Sequence, residues 1–331
     1  MTNADLALPF LDADLEARVR AGLDEVESRL LARAESDAPF VTEAARHLLS
    51  AGGKRFRPML VLVSAEFGDP LATGVVPAAV GVELTHLATL YHDDVMDEAD
   101  LRRGAVSANA RWDNSVAILT GDFLFAHASQ VMADLGPDAV RIQARTFARL
   151  VEGQIRETVG PRPDEDVLEH YLRVVADKTG SLIATSARYG ALMSGAGGHA
   201  ERVLTEFGER IGTAFQLSDD VIDVTSDSGD SGKVAGTDLR EGVPTLPILL
   251  ARISADPEDA RLHQLLDTSL GDDYLHAEAL GLLRAHPAMD EARAEVRRRT
   301  DAARALLDEL PAGPARDALA ALCDLVVHRT G

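Results

Sequence analysis

The chain has 331 residues, with 33 Lys and Arg against 54 Asp and Glu, so its formal charge is −21 at pH 7. Hydrophobic residues make up 46% of the chain, which is enough for a full core and excludes general disorder. The single cysteine, Cys323, excludes an intrachain disulfide scaffold, and the acidic balance argues against nucleic-acid binding. No leader pattern and no apolar run of 18 residues is present, so we predict a cytoplasmic protein without an integral membrane segment.

The spacing of apolar residues predicts helices along most of the chain. Val80, Leu84, Leu87, Tyr91 and Val95 recur at intervals of three and four, which is typical of a helix with one buried face. We find no convincing run of alternating β-branched residues of the kind that indicates a strand. Breakers rich in glycine and proline separate the helical segments, so the sequence predicts an all-α bundle of about ten or more helices. We expect these helices to form a single domain over residues 1–331.

A basic segment lies just before one of the predicted helices, in the run Gly52-Gly53-Lys54-Arg55-Phe56-Arg57-Pro58. Two glycines permit a tight turn, and proline fits the first turn of a helix. The start of a helix favours anions, and an arginine can hold two phosphate oxygens at once. The segment is therefore typical of a diphosphate site, although the same cations could simply form ion pairs in an acidic chain.

The pattern Asp-Asp-x-x-Asp occurs twice, at residues 93–97 and 219–223. On a helix, the first and last aspartates of each motif project from one face, about 6 Å apart along the axis. Like charges at this spacing repel, so a compensating cation is expected, and Mg²⁺ prefers carboxylate, water and phosphate oxygens. The alternative is a pair of solvated acidic patches. The glycine and terminal glutamate of an EF-hand calcium loop are missing from both motifs.

Other polar residues lie near the two aspartate motifs. His86 is two helical turns before Asp93, and Gln216 is one turn before Asp219. Further cations occur at Arg102-Arg103-Gly104, at Lys178-Thr179 and at Lys233, in a predicted loop at residues 226–236.

Taken in order, these segments resemble the motifs of trans-isoprenyl (polyprenyl) diphosphate synthases, most closely the long-chain hepta- to decaprenyl enzymes. The resemblance covers about residues 52–247, within a motif-bearing core of about residues 40–250, and it also includes Glu83-Leu84-Thr85-His86, Glu152-Gly153-Gln154 and Gly236-Thr237-Asp238-Leu239-Arg240. It implies an isoprenoid-synthase-type helical bundle around a deep central cavity, usually in a homodimer.

The resemblance also implies roles for individual residues. The residues with expected catalytic roles are Asp93, Asp94, Asp97, Lys178, Asp219 and Lys233. Asp93 and Asp97 would hold two Mg²⁺ ions and Asp219 a third, supported by Asp94, Asp220 and Asp223. The ions would bind the diphosphate of an allylic substrate, farnesyl or geranylgeranyl diphosphate, together with Arg102, Lys178, Thr179, Gln216 and Lys233. Isopentenyl diphosphate would bind without metal, on Lys54, Arg57, His86 and Arg103.

The implied reaction begins when the allylic diphosphate ionises, and the alkene of isopentenyl diphosphate then attacks the allylic cation. Loss of a proton, in this family to the departing diphosphate, gives a new trans double bond. One departure from the family pattern concerns this site. Val243-Pro244 stands before Thr245-Leu246-Pro247, where the family often has a lysine, so one expected diphosphate contact is missing.

Product length in this family depends on the residues four and five before the first motif, here Thr89 and Ala88. Both are small, which predicts an open channel and a product longer than geranylgeranyl diphosphate. Tyr91 is expected to point away from the channel. A floor could lie deeper, on a helix at residues 116–132, where Phe123 and Phe125 could close it. Geranylgeranyl diphosphate synthesis is the alternative.

Two other functional classes share part of this pattern. A terpene cyclase has the fold and one aspartate motif, but it normally carries an Asn/Ser/Glu triad at the second site and has no need of Lys54 and Arg57. A non-catalytic partner subunit would be expected to have lost aspartates from one motif, whereas all six are present here.

Overall fold

The computed structural model describes residues 12–226 and 235–330. These residues form an all-α fold, as the sequence predicts. The helices are α1 (Ala13–Arg33), α2 (Pro39–Ser50), α3 (Phe56–Ala65), α4 (Val75–Met96), α5 (Ala108–Arg111), α6 (Asn114–Leu135), α7 (Pro137–Val159), α8 (Val167–Val175), α9 (Ser181–Met193), α10 (Gly198–Thr225), α11 (Thr237–Glu241), α12 (Leu246–Arg252), α13 (Ala260–Leu266), α14 (Asp273–Ala285), α15 (Ala288–Leu306) and α16 (Pro314–His328). A π-helical turn, Ala176–Gly180, joins α8 to α9.

Aspartate side chains begin several of these helices by accepting hydrogen bonds from backbone N–H groups that have no partner inside the helix. Asp12 accepts from Leu15 N at 2.7 Å, and Asp113 accepts from Val116 N at 2.8 Å. At its other end α6 stops before Gly136, whose φ of 107° suits glycine and ends the helical path.

The chain divides into two compact units. The first comprises the described parts of Met1–Ala148, Leu182–Gly208 and Leu307–Ala321. In this unit α4 packs along α6, and it also contacts α1 and α3. A Cβ atom at Gly121 of α6 would lie 2.3 Å from His92 Nε2, so this glycine permits the close approach of the two helices.

The second unit comprises Arg149–Ser181 and the described parts of Glu209–Leu306 and Leu322–Gly331. Here α12 packs against α15 and α8, and α14 contacts α11, α13 and α15. The buried His276 of α14 bonds through Nε2 to Gly236 O at 2.8 Å and holds the start of α11 in place. The single-domain organisation expected from the sequence stays a prediction.

The structure contains a short β-hairpin that the sequence pattern did not indicate. Strands β1 (Leu101–Arg102) and β2 (Ala105–Val106) pair antiparallel. Their two-residue connection has positive φ angles, 54° at Arg103 and 74° at Gly104, as a type I′ turn requires. Strands of two residues are too short to show alternating hydrophobicity, so the turn residues were the only available signal.

Helix α6 is long and apolar enough to cross a membrane by length and composition alone, and 39% of its most apolar window is buried. The core helix of a soluble protein meets the same criterion. Within the first unit α6 packs against α2, α4 and α5. The expected lack of an integral membrane segment therefore stays a prediction.

Candidate active site

Cationic side chains from three segments of the first unit lie close together. Burial lowers the pKa of Arg57 to about 10; Glu83 opposes this shift, and the charge of Arg103 adds to it. The pKa of His86 is held well below its usual 6.5 by burial and by the charges of Arg57 and Arg103. Among the described residues, Arg57 Nε has no hydrogen-bond partner although it is buried. Together these groups form a positively charged recess suited to an anion.

Arg55, which belongs to the same basic segment, is engaged by carboxylates of the protein. Its guanidinium bonds to both oxygens of Glu27, at 2.8 and 3.0 Å, and to Glu83 Oε1 at 3.2 Å. Its backbone is left-handed, with φ of 45°, immediately before α3 begins. Although burial alone would lower the pKa of Arg55, these carboxylates raise it. Arg55 therefore fixes the loop, and Lys54 beside it is exposed.

The β-hairpin turns Arg103 back onto the glycine loop. Arg103 Nη1 donates to Leu48 O at 3.2 Å and also to Gly52 O. A Cβ atom at Gly53 would lie 2.9 Å from the Arg103 guanidinium, and the φ of 147° at this glycine is unsuited to other residues. The glycine pair thus lets the loop and the hairpin meet, which places Arg103 beside Arg57.

The first aspartate motif lies at the end of α4. The helix ends at Met96, and the N–H of Asp97 donates to Asp93 O at 2.8 Å. Asp94 is fully buried and accepts from Arg102 Nε at 2.5 Å, while Arg102 Nη2 lies 3.8 Å from Asp97 Oδ2. Burial raises the pKa of Asp94, and Arg102 opposes that shift. Asp94 therefore anchors Arg102, whereas the Asp97 side chain remains 54% exposed.

In the second motif, two of the three carboxylates accept hydrogen bonds from backbone N–H groups. Asp220 is 3% exposed and accepts from the Tyr171 hydroxyl, from Leu246 N at 3.1 Å and from Gln216 Nε2 at 3.4 Å. Burial raises the pKa of Asp220 to about 7 despite these bonds. Asp223 accepts from Thr237 N and Asp238 N, both at 3.2 Å, at the start of α11.

The remaining aspartate of this motif, Asp219, is 40% exposed and forms an ion pair near the end of the chain. Arg329 Nη2 lies 2.6 Å from Asp219 Oδ1. Arg329 belongs to none of the sequence motifs, and 110 positions separate it from Asp219. Local spacing gives no signal for such a contact.

The π-helical turn presents Lys178 and Thr179. Lys178 Nζ pairs with Glu157, and Thr179 Oγ1 donates to Gln216 Oε1 at 3.2 Å. Asp177 in the same turn is held by Arg149 at 2.6 Å and by Arg156 at 2.5 Å, both from α7. Thr179 and Gln216 thus connect the turn to Asp220. Lys233, which was expected to act with Lys178, lies outside the described residues.

The two residues expected to control product length are buried in the first unit, on the same helix as residues that line a small cavity. Ala88 is fully buried, and Thr89 is 8% exposed. Tyr91 donates to Ala44 O of α2 at 2.6 Å, so its ring is directed toward α2. Further along α4 is a cavity of about 10 Å³, lined by Val82, Thr85, Met132, Gln143, Thr146, Leu182, Thr185 and Tyr189. Phe123 and Phe125 do not line it; Phe125 stacks on Phe147 with ring centroids 4.0 Å apart.

Comparison with known proteins identifies the family. The family model for polyprenyl synthetase matches residues 38–282. The chain belongs to the polyprenyl synthetase family. Nonaprenyl diphosphate synthase of Mycobacterium tuberculosis is 50% identical over 321 residues, covering 97% of this chain and 96% of its own length. A dimethylallyltranstransferase of the same organism is 41% identical, covering 96% of this chain and 97% of its own.

A solved structure gives the same result for the fold. Geranylgeranyl pyrophosphate synthase from Corynebacterium glutamicum, crystallised with calcium and isoprenyl diphosphate, superposes with a TM-score of 0.88. It is 47% identical in sequence, and the match covers 98% of this chain and 100% of that one. The chain is thus a prenyltransferase of the polyprenyl synthetase family with the all-α fold of its relatives, and its chemistry is consistent with use of a divalent cation.

The aspartates fit such a cation only in combination with a ligand. Across residues 12–226 and 235–330, no group of three His, Cys, Asp or Glu side chains forms a ready metal cluster. Mg²⁺ characteristically binds one or two carboxylates and completes its shell with water and substrate phosphate. In the first unit, Asp93 and Asp97 carry carboxylate oxygens of that kind, and the buried Asp94 Oδ2 has no hydrogen-bond partner in the described structure. In the second unit, Asp219 carries another. Taken by itself, each motif offers the kind of oxygen donor that Mg²⁺ binds together with a diphosphate.

We expect Gly153→Ala to lower kcat by about 100-fold, since small displacements at a catalytic site have effects of that size. A Cβ atom at Gly153 would lie 2.7 Å from Lys178 N, so α7 or the π-helical turn must shift. Steady-state kinetics with isopentenyl and allylic diphosphates measures the change. The control is Gly281→Ala in α14, where a Cβ meets no atom within 4 Å. An unchanged kcat in Gly153→Ala would show that the position of Lys178 does not limit catalysis.

The low pKa of His86 makes stability depend on pH. Below pH 6.5 the unfolded chain binds a proton at this histidine that the folded chain does not bind, so acidification favours unfolding. We expect His86→Gln to lose less unfolding free energy than the wild type between about pH 7.5 and 5.5, as measured by urea denaturation. Replacement of His199, which is 55% exposed, serves as the control. Equal losses in His86→Gln and the wild type would contradict the assignment.

Proposed function

We propose that the chain catalyses the Mg²⁺-dependent head-to-tail condensation of isopentenyl diphosphate with an allylic diphosphate. The observation that supports this most directly is the arrangement of two different anion sites along α4. His86, in the cationic recess with Arg57 and Arg103, lies two turns before Asp93 on the same helix. One site suits a diphosphate without metal, and the other suits a diphosphate with metal. A condensing enzyme needs both, whereas a cyclase or hydrolase needs only the second.

In this proposal the recess binds isopentenyl diphosphate. Arg57 offers the unpartnered Nε, Arg103 is held by the hairpin, and Lys54 is exposed at the entrance of the loop. The uncharged His86 donates one hydrogen bond without adding to the repulsion among the arginines. These contacts orient the substrate so that its alkene faces the allylic carbon, which replaces a bimolecular encounter by a fixed geometry.

The allylic diphosphate binds on the aspartate side. Asp93, Asp97 and Asp219 would hold Mg²⁺, for which we propose three ions, and this charge stabilises the departing diphosphate. Arg102, Lys178 and Lys233 would add positive charge, and Thr179 with Gln216 would add hydrogen bonds. Asp94, Asp220 and Asp223 act as positioning residues, because their carboxylates bond to Arg102, to Tyr171 and to the backbone of α11. The proton lost in the final step goes to the departing diphosphate.

We further propose a product longer than geranylgeranyl diphosphate, with farnesyl or geranylgeranyl diphosphate as primer. The side chains of Ala88 and Thr89 are small and buried, and Tyr91 is bonded to α2. Below them the flexible Met132 lines the small cavity, so it is our candidate for the channel floor. The similar proteins include both a nonaprenyl and a geranylgeranyl diphosphate synthase, and geranylgeranyl diphosphate synthesis is the alternative.

We also propose a cytoplasmic homodimer. Apolar side chains are exposed on α6, where Ile118 is 42% and Leu119 is 66% accessible. Burial of such residues against a second copy would remove apolar surface from water, which favours association. The mass of a monomer in sedimentation equilibrium would contradict this part of the proposal.

The decisive experiment is product analysis with radiolabelled isopentenyl diphosphate, Mg²⁺ and either farnesyl or geranylgeranyl diphosphate. We expect products longer than geranylgeranyl diphosphate, and we expect EDTA to abolish their formation. Products that stop at geranylgeranyl diphosphate would support the alternative. Diphosphate release without isopentenyl diphosphate would indicate a cyclase or hydrolase, and no elongation from either primer would favour a partner subunit.

Two substitutions test the channel. We expect Ala88→Phe to shorten the product because the ring fills space one turn below Asp93, and Met132→Ala to lengthen it because the floor is opened. Chromatography of the labelled products measures both changes. Met289→Ala, at a buried methionine of the second unit, is the control. If both variants retain the wild-type product distribution, the growing chain does not pass these positions.

A further inference from the structure

The end of the chain makes a specific contact with the second aspartate motif. Arg329 Nη2 donates to Asp219 Oδ1 at 2.6 Å, and its guanidinium carbon lies 4.6 Å from the centre of the Phe215 ring. Phe215 and Asp219 are one turn apart on α10, so the guanidinium covers that turn. The following residue is also fixed, since Arg293 Nε donates to Thr330 O at 2.8 Å. This part of the chain is therefore docked on the motif.

The guanidinium uses only part of its hydrogen-bonding capacity in this contact. Arg329 Nη1 is buried and has no hydrogen-bond partner among the residues that the structure describes. An unpaired buried donor carries a free-energy penalty, and the fork of an arginine is suited to two anionic oxygens at once. The open donor therefore indicates a second oxygen ligand that the carboxylate does not provide.

The partner of Arg329 is the carboxylate that the proposed function assigns to a divalent cation, and the inference rests on that assignment. A cation bound to Asp219 repels the guanidinium, which weakens the ion pair. A diphosphate bound to the same cation brings phosphate oxygens to this turn of α10. These oxygens match both nitrogens of the guanidinium, including Nη1.

We propose that Arg329 is a substrate-binding residue that rests on Asp219 in the free enzyme. When Asp219 takes the cation, the guanidinium transfers from the carboxylate to the metal-bound diphosphate. The ion pair is partly exposed, with 23% of the Arg329 side chain accessible, so water and ions can compete with it. Arg329 thus neutralises the charge of Asp219 before substrate binds. After substrate binds, it adds a positive charge beside the diphosphate, and this charge comes from outside the sequence motifs.

The test measures binding, apart from turnover, in Arg329→Gln and the wild type. Electron paramagnetic resonance gives the affinity for Mn²⁺ alone, which we expect to be about two- to fivefold tighter in the variant because no ion pair must be broken. Calorimetry gives the affinity for inorganic pyrophosphate in saturating Mn²⁺, which we expect to be at least about tenfold weaker in the variant. Arg298→Gln is the control, since that side chain is 70% exposed and pairs with Glu295.

A double-mutant cycle with Asp219→Asn tests whether the effect acts through this aspartate. In that background, we expect Arg329→Gln to leave the Mn²⁺ affinity unchanged. An effect of the same size as in the wild type would overturn the proposal, and so would an unchanged pyrophosphate affinity in Arg329→Gln itself. Should the glutamine variant fail to fold, Arg329→Lys takes its place and is expected to bind pyrophosphate more weakly than the wild type.

These measurements separate the inference from the proposed function. A wild-type enzyme that elongates primers, combined with unchanged pyrophosphate binding in Arg329→Gln, defeats the inference alone. A wild-type protein that binds Mn²⁺ and pyrophosphate as described but never elongates a primer defeats the proposed condensation alone.

Discussion

Ion pairs within the protein hold three of the side chains that the proposed function assigns to the site. Asp94 pairs with Arg102, Lys178 with Glu157, and Asp219 with Arg329. The last two pairs are partly exposed, so each contributes about 0–1 kcal/mol and a diphosphate or a cation can displace it. The first differs because Asp94 is fully buried, and breaking a buried pair leaves an unpaired charge. Arg102 is therefore the fixed cation of this set.

The positive charges in the recess around Arg57 are not each paired with a carboxylate in this way. Glu83 is the buried carboxylate that acts on both Arg57 and Arg103, and it also bonds to Arg55. Repulsion is limited because His86 stays uncharged. Left-handed backbone at Arg55 and Arg103 holds the loop and the hairpin in strained conformations, which persist only where surrounding contacts enforce them. The contacts that fold the first unit thus keep several positive charges close together. Binding of an anion would reduce the repulsion between them.

Local spacing was sufficient to predict the helices and the shared face of His86 and Asp93, because helical periodicity depends on residues three and four apart. The family resemblance supplied the roles that spacing alone left open. Contacts between distant residues had no such signal: the Tyr171 hydroxyl bonds to Asp220 across 49 positions, and Arg329 reaches Asp219 across 110. The π-helical turn that contains Lys178 was also not predicted, because its sequence resembles an ordinary junction between helices.

The three aspartates of the second motif make different contacts within the second unit. Asp219 faces outward, while the buried Asp220 joins α10 to Tyr171 and to the first N–H of α12. Asp223 accepts from Thr237 N and Asp238 N through its carboxylate and from Gly236 N through its carbonyl. The start of α11 is thus bonded to the last turn of α10. Asp220 and Asp223 therefore fix the starts of α12 and α11 to the helix that carries Asp219, which couples the position of the proposed metal ligand to the fold around it.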